Sequence, residues 1–122
     1  MRYIDPEATI RGRLETAAHP QWDAAVMCFR DLEGSRAIVS RFGATPTDQR
    51  LLWGAEPSED RPTTFECRMG GRRVAVLTRC HWGGSQAAIL VEELAQLGVG
   101  SIVGIGAAGG LVEEFPKGTQ TV

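Results

Sequence analysis

The stretch from 73 to 106 constrains this chain more than any other. "RRVAVLT" is a β-rich apolar run, "SQAAILVEELAQLG" follows after a short Gly-containing loop, and "SIVGIG" comes directly behind it. In the middle segment Ala87, Leu90, Val91, Leu94 and Leu97 are read as one apolar helical face, with Gln86, Glu93 and Gln96 assigned to the opposite one. Ser85 is expected to cap this helix and Gly98 to end it. Strand, helix and strand in that order predict a crossover unit with parallel strands. Such a sheet needs helices over its faces, so the expected class is α/β, a mixed, partly parallel sheet flanked by helices.

The rest of the chain extends that plan. "TTFECRM" and "RRVAVLT" flank Gly70-Gly71, a pair that tolerates the positive φ of a tight hairpin turn, so these two runs are expected to pair antiparallel. "DAAVMCF" at 23–29 reads as a strand buried on both faces, with Arg30 and Asp31 just beyond its end. "GSRAIVSRFG" predicts a helix with Ile38 and Phe42 on one face, Ser35 as N-cap and Gly43 as its stop. Residues 44–62 hold three prolines, with mixed charges around "RLLWGA", and read as loop with one short strand. Asp5-Pro6-Glu7 opens a weakly amphipathic segment that Pro20 ends. Residues 1–20 are accordingly an N-terminal extension, and 21–122 a single domain.

Bulk properties narrow the function. A chain of 122 residues buries roughly two thirds of its unfolded surface, enough for one core. A net charge of −2 supplies no basic footprint for nucleic acid or an anionic membrane, so a small ligand is the expected partner. No apolar run approaches the roughly 18 residues of a spanning helix, and the first twenty residues contain no continuous apolar core of a signal peptide. Cys28, Cys67 and Cys80 are odd in number, far apart and without a C-x-x-C, which predicts neither a disulfide framework nor a metal site and fits a cytoplasmic protein.

Three local patterns imitate known chemistry. Gly104, Gly106 and Gly109 spell G-x-G-x-x-G, but a dinucleotide fingerprint needs a helix directly after its glycines and an acidic residue about 20 positions on. Pro116 and Gly118 stop any such helix early. Gly83 to Ala87 resembles a nucleophile elbow around Ser85, yet four residues separate it from the strand and no histidine follows His81. Cys80-His81 lacks a third, orienting group, and neighbours on an extended segment point to opposite sides.

What remains is a strand, a Gly-rich turn, a helix ending "VEELAQLGV" and a strand running into "GIGAAGGL". This stretch resembles the nucleoside phosphorylase and nucleosidase superfamily over 71–111. A weaker similarity covers 24–43, where "VMCFRD" resembles that family's first strand and phosphate loop. The resemblance implies the N-terminal half of a phosphorylase-like domain whose reaction cleaves the N-glycosidic bond of a nucleoside. Phosphate is the nucleophile in the phosphorylases and water in the nucleosidases. A sugar with oxocarbenium character needs an anion or activated water beside it, and the departing base needs a proton or hydrogen bond. Carried over on this basis, Arg30, Asp31, Gly83, Gly84, Ser85 and Gly106 would border phosphate or ribose, and Ala107, Ala108 and Gly109 the base. No cofactor is implied beyond inorganic phosphate as co-substrate, and homo-oligomers are the family's habit.

The sequence also departs from that pattern. Phosphorylases of this family place an arginine where Gly104 stands and a serine or threonine where Ala107 stands, so two phosphate ligands are missing. Arg30-Asp31 replaces the commoner Gly-Asp, and Gly34 stands where an arginine is expected, with Arg36 nearby. Arg30, Arg79 and His81, at strand ends, are the side chains available for an alternative anion site. The family's acidic residue for the base and its ribose ligands belong to a second half, whereas this chain runs to "PKGTQTV", which resembles the family's K-x-G-D-x-V segment. The catalytic residues are therefore not assigned. A hydrolytic reaction, or a nucleoside-binding or assembly module without catalysis, are the alternative expectations.

Overall fold

The computed structural model describes residues 5–14, 20–58, 60–107 and 117–120. Along the chain run α1 (Pro6–Leu14), β1 (Ala24–Cys28), α2 (Leu32–Phe42), β2 (Thr45–Pro46), β3 (Thr64–Met69), β4 (Arg72–Leu77), α3 (Gly84–Gln96) and β5 (Ser101–Ile105). The strands form one sheet in the order β2-β3-β4-β1-β5. β1 pairs parallel with β4 and with β5, while β2 with β3 and β3 with β4 are antiparallel. The sheet is thus mixed and partly parallel, as the sequence implies. β1 lies between β4 and β5, so the crossover through α3 passes over a strand formed much earlier in the chain.

The two-residue period of the strands divides the core. Ala25 and Met27 of β1, with Ala75 and Leu77 of β4, pack with Trp22, Leu90, Leu94 and Val99 on the α3 side. Val26, Cys28, Val74, Val76 and Cys67 pack on the other side beneath Ile38, Val39 and Phe42 of α2. β1 and β4 are apolar on both faces because a helix covers each. α1 lies beside α3 and buries Ile10. Asp5 Oδ1 accepts from the Ala8 N–H at 3.2 Å, the cap expected of Asp5-Pro6. At the hairpin, Gly70 and Gly71 take φ of 57° and 78°, the left-handed pair that lets strands reverse within two residues. No described helix is long and apolar enough to cross a membrane.

Several local expectations are corrected. The N-cap of α2 is Asp31, whose Oδ1 accepts from the Gly34 N–H at 2.8 Å. Ser35 lies inside the first turn, buried, with its hydroxyl donating to the Arg30 carbonyl at 3.3 Å. Asp31 wins because its side-chain oxygen meets the free amides four residues earlier in the chain, as the backbone leaves β1. Ser85 does not cap α3 either. The cap position is Gly83, with φ 123° and no side-chain acceptor, a conformation that strains any residue with a Cβ.

The short strand expected within the middle region is Thr45–Pro46, which pairs antiparallel with β3. On α3, Val91 is exposed and Glu93 is fully buried, the reverse of the assignment from sequence. Counted from Leu90, Glu93 falls on the same helical face as Leu94 and Leu97, whereas Val91 is rotated away from it.

Candidate functional site

In open sheets of this kind, ligands bind beyond the carboxyl ends of the parallel strands. Here three such ends lie side by side. The Cys80 N–H donates to the Cys28 carbonyl at 3.0 Å, and the Phe29 N–H donates to the Ile105 carbonyl at 2.8 Å. Both bonds continue the ladders just past the strands, so the segments after β4, β1 and β5 leave the sheet from one edge. Arg30, Asp31 and Gly106 leave from adjacent strands, and Gly83, Gly84 and Ser85 open α3 on the β4 side. Ala107 follows Gly106 and is exposed. Ala108 and Gly109 lie outside the described residues.

The side chains differ in how free they are. Asp31 is engaged as the helix cap. Arg30 folds back over the first turn of α2, where a Cβ on residue 34 would meet its Nε at 2.8 Å, so glycine at 34 is what lets the arginine lie there. Gly83 and Gly84 face open space, and Ser85 is exposed. Gly104 and Gly106 flank Phe29, and a Cβ on either would make only ordinary contact with it, at 3.5 and 3.7 Å. Their effect is to leave the end of β5 without a side-chain donor.

Arg79 is built differently. Thr78 before it is tied to β3, its N–H and hydroxyl donating to the Thr63 carbonyl at 2.8 and 2.9 Å. Cys80 after it is tied to β1. Between these anchors Arg79 adopts φ 52°, the only non-glycine with positive φ among the described residues. Its Nη2 donates to the Glu56 carbonyl at 3.4 Å, and its Nε is buried with no partner. The neighbouring thiol is chemically quiet. Burial, with Cys28 close by, pushes Cys80 up to about 12, and burial pushes Cys28 up to about 11. Both remain protonated near neutral pH, so Cys80 offers no thiolate for the exposed His81 to assist.

A loop the sequence left illegible forms one wall of the edge. Leu51 and Trp53 pack on the α3-side core. The buried Glu93 carboxylate accepts from the Leu52 N–H at 2.7 Å and the Trp53 N–H at 3.0 Å. The Thr63 hydroxyl donates to the Ala55 carbonyl at 2.9 Å. A hollow of about 300 Å³ opens along this loop, lined by Arg50, Leu52, Glu56, Thr63 and Thr64 among others. Glu93 was missed because a charge was assigned to solvent; its spacing from Leu90 and Leu97 was the signal that could have found it.

The opposite, amino end of the sheet is braced by charge. Arg73 forms a two-pronged bond to Glu66, which also accepts from the Trp22 indole at 2.8 Å. Burial pushes the Glu66 carboxyl up, but the bonds from Trp22 and Arg73 and the charges of Arg73 and Arg68 outweigh it and hold the group below its usual value. A larger hollow of about 490 Å³ beside Trp22 and Asp23 lies at this end, away from the strand ends that the sequence singles out. Among the described residues no group of three or more His, Cys, Asp or Glu side chains converges as a metal would require.

Comparison with protein-family models, with curated proteins and with solved structures gives no match. The likeness to nucleoside phosphorylases therefore rests on the residues quoted for it.

Proposed function

We propose that the carboxyl edge of β4, β1 and β5 binds a nucleoside and serves cleavage of its N-glycosidic bond by inorganic phosphate. The observation that carries this reading is the pair of hydrogen bonds, Cys80 to Cys28 and Phe29 to Ile105, that holds the three post-strand segments on one edge. That edge combines arginines able to hold an anion, at 30 and 79, with an open, side-chain-free approach at Gly83-Gly84 and Gly106-Ala107. An anion held there sits where positive charge would develop on a bound sugar, and this interaction grows as the bond breaks.

Hydrolysis is the second reading, favoured by Gly104 and Ala107, which bring no side-chain donor for phosphate. We further propose a cytoplasmic homo-oligomer. The three free, buried thiols suit a reducing compartment, and β5, at the end of the sheet order, contains no charged residue to discourage pairing with another strand.

The test is release of free base from inosine or uridine with and without phosphate. Phosphate-dependent release supports phosphorolysis, and release without phosphate supports hydrolysis. Saturable nucleoside binding without turnover would leave a binding module, and no binding would remove the reading altogether.

A further inference from the structure

We infer that Arg79 is the residue that holds the phosphate at this edge, in place of the donors that Gly104 and Ala107 lack. The inference rests on the phosphorolytic reading above and names the residue that holds its phosphate. Its basis is the state of this one side chain. A guanidinium presents five N–H donors in a fixed fork and is always charged, so it seeks an oxyanion or several carbonyls. That of Arg79 has one long bond, to the Glu56 carbonyl, and forms no ion pair with any described carboxylate, while its buried Nε is left without an acceptor. A buried donor without a partner is rare in folded proteins and calls for an explanation, of which an acceptor arriving from outside is one; the Trp53 indole N–H, on the neighbouring loop, is the other such donor among the described residues.

The backbone agrees with the side chain. Residue 79 is held in the left-handed region between Thr78 and Cys80, each anchored to a neighbouring strand. Positive φ at a non-glycine residue survives only where its surroundings enforce it, and such positions cluster at ligand sites. Arg30, the other candidate, lies over Gly34 at the start of α2, beside the Asp31 carboxylate, which opposes an anion there. A planar fork using Nε and an Nη is the arrangement that recognises two phosphate oxygens at once.

The experiment is calorimetric titration of the full chain with inorganic phosphate, with acetate as competitor. The variants are Arg79→Gly, Arg79→Lys and, as a charge control at the amino end of β4, Arg72→Gln. Glycine accepts the φ of residue 79 without strain but gives up the bond to the Glu56 carbonyl, so Arg79→Gly is expected to keep the fold with some loss of stability, which a thermal melt measures, and Arg79→Lys is read beside it. Phosphate binding is expected to weaken about tenfold or more in Arg79→Gly, to weaken also in Arg79→Lys, where the fork is lost, and to stay unchanged in Arg72→Gln.

Binding in Arg79→Gly within twofold of the parent, an equal loss in Arg72→Gln, equal competition by acetate, or no phosphate binding by the parent would each overturn the assignment. Phosphate binding lost in Arg79→Gly, in a parent that releases no base from inosine or uridine, would uphold Arg79 and remove the nucleoside reading. Phosphate-dependent base release unchanged by Arg79→Gly would do the reverse.

Discussion

Replacing Glu93 should loosen the wall of the site and cost the fold much of its margin. The side chain is fully buried on α3, and its carboxylate takes the N–H groups of Leu52 and Trp53 at 2.7 and 3.0 Å. In Glu93→Ala both amides lose their acceptor. At about 1–3 kcal/mol for each partly buried donor left unpaired, the loss is about 2–6 kcal/mol, and a cavity adds to it. For a domain of this size that lowers Tm by about 8–24 °C. Glu93→Gln keeps one carbonyl acceptor and turns an NH2 toward the second amide, so it should lose about half as much.

Urea melts of both variants give the free energies. Amide exchange at Leu52 and Trp53 tells whether the cause is the loop: those two protons should exchange faster under native conditions, while those of β1 and β4 follow global stability. A loss below about 0.5 kcal/mol in Glu93→Ala, or unchanged exchange at both amides, would refute the reasoning, because the carboxylate would then not be what holds the loop.

Two further predictions concern titration. The Glu66 carboxyl is held below its unfolded value of 4.5, so the native state binds fewer protons than the unfolded chain in acid. Its contribution is therefore complete above about pH 4.5 and is lost as pH falls through the native value. Urea midpoints measured downward from neutral pH should fall less steeply below that point in Glu66→Gln than in the parent, and identical slopes would contradict the assignment. The cysteine thiols are buried and all titrate above the ordinary cysteine value through burial, Cys67 also through the charge of Glu66. A thiol reagent at mildly alkaline pH should label none of the three until the chain is unfolded, and fast labelling of Cys80 in the native protein would restore it as a nucleophile candidate.

The elements read most easily from sequence are those defined by local periodicity. The alternation and the Gly-Gly pair around 70–71 specify the β3–β4 hairpin, and the 3.6-residue recurrence along 84–97 specifies α3, because both patterns depend only on near neighbours. The caps were harder. Asp31 and Ser35, or Gly83 and Ser85, lie close enough in sequence for either to start its helix, and the choice depends on where the preceding strand releases the chain. The loop at 50–57 has no period at all, being held by Glu93, Thr63 and Arg79 from elements far away in sequence.

By itself, the sequence determined an α/β chain with helices alternating with strands, one hairpin and a crossover, since these follow from side-chain spacing and turn chemistry. Only the tertiary structure decided that β1 enters between β4 and β5, bringing Arg30, Arg79 and Gly106 to one edge, and that Glu93 turns inward. Strand order and the burial of a charge are settled by partners dozens of residues apart, whose hydrogen bonds exist only once the sheet has closed around them.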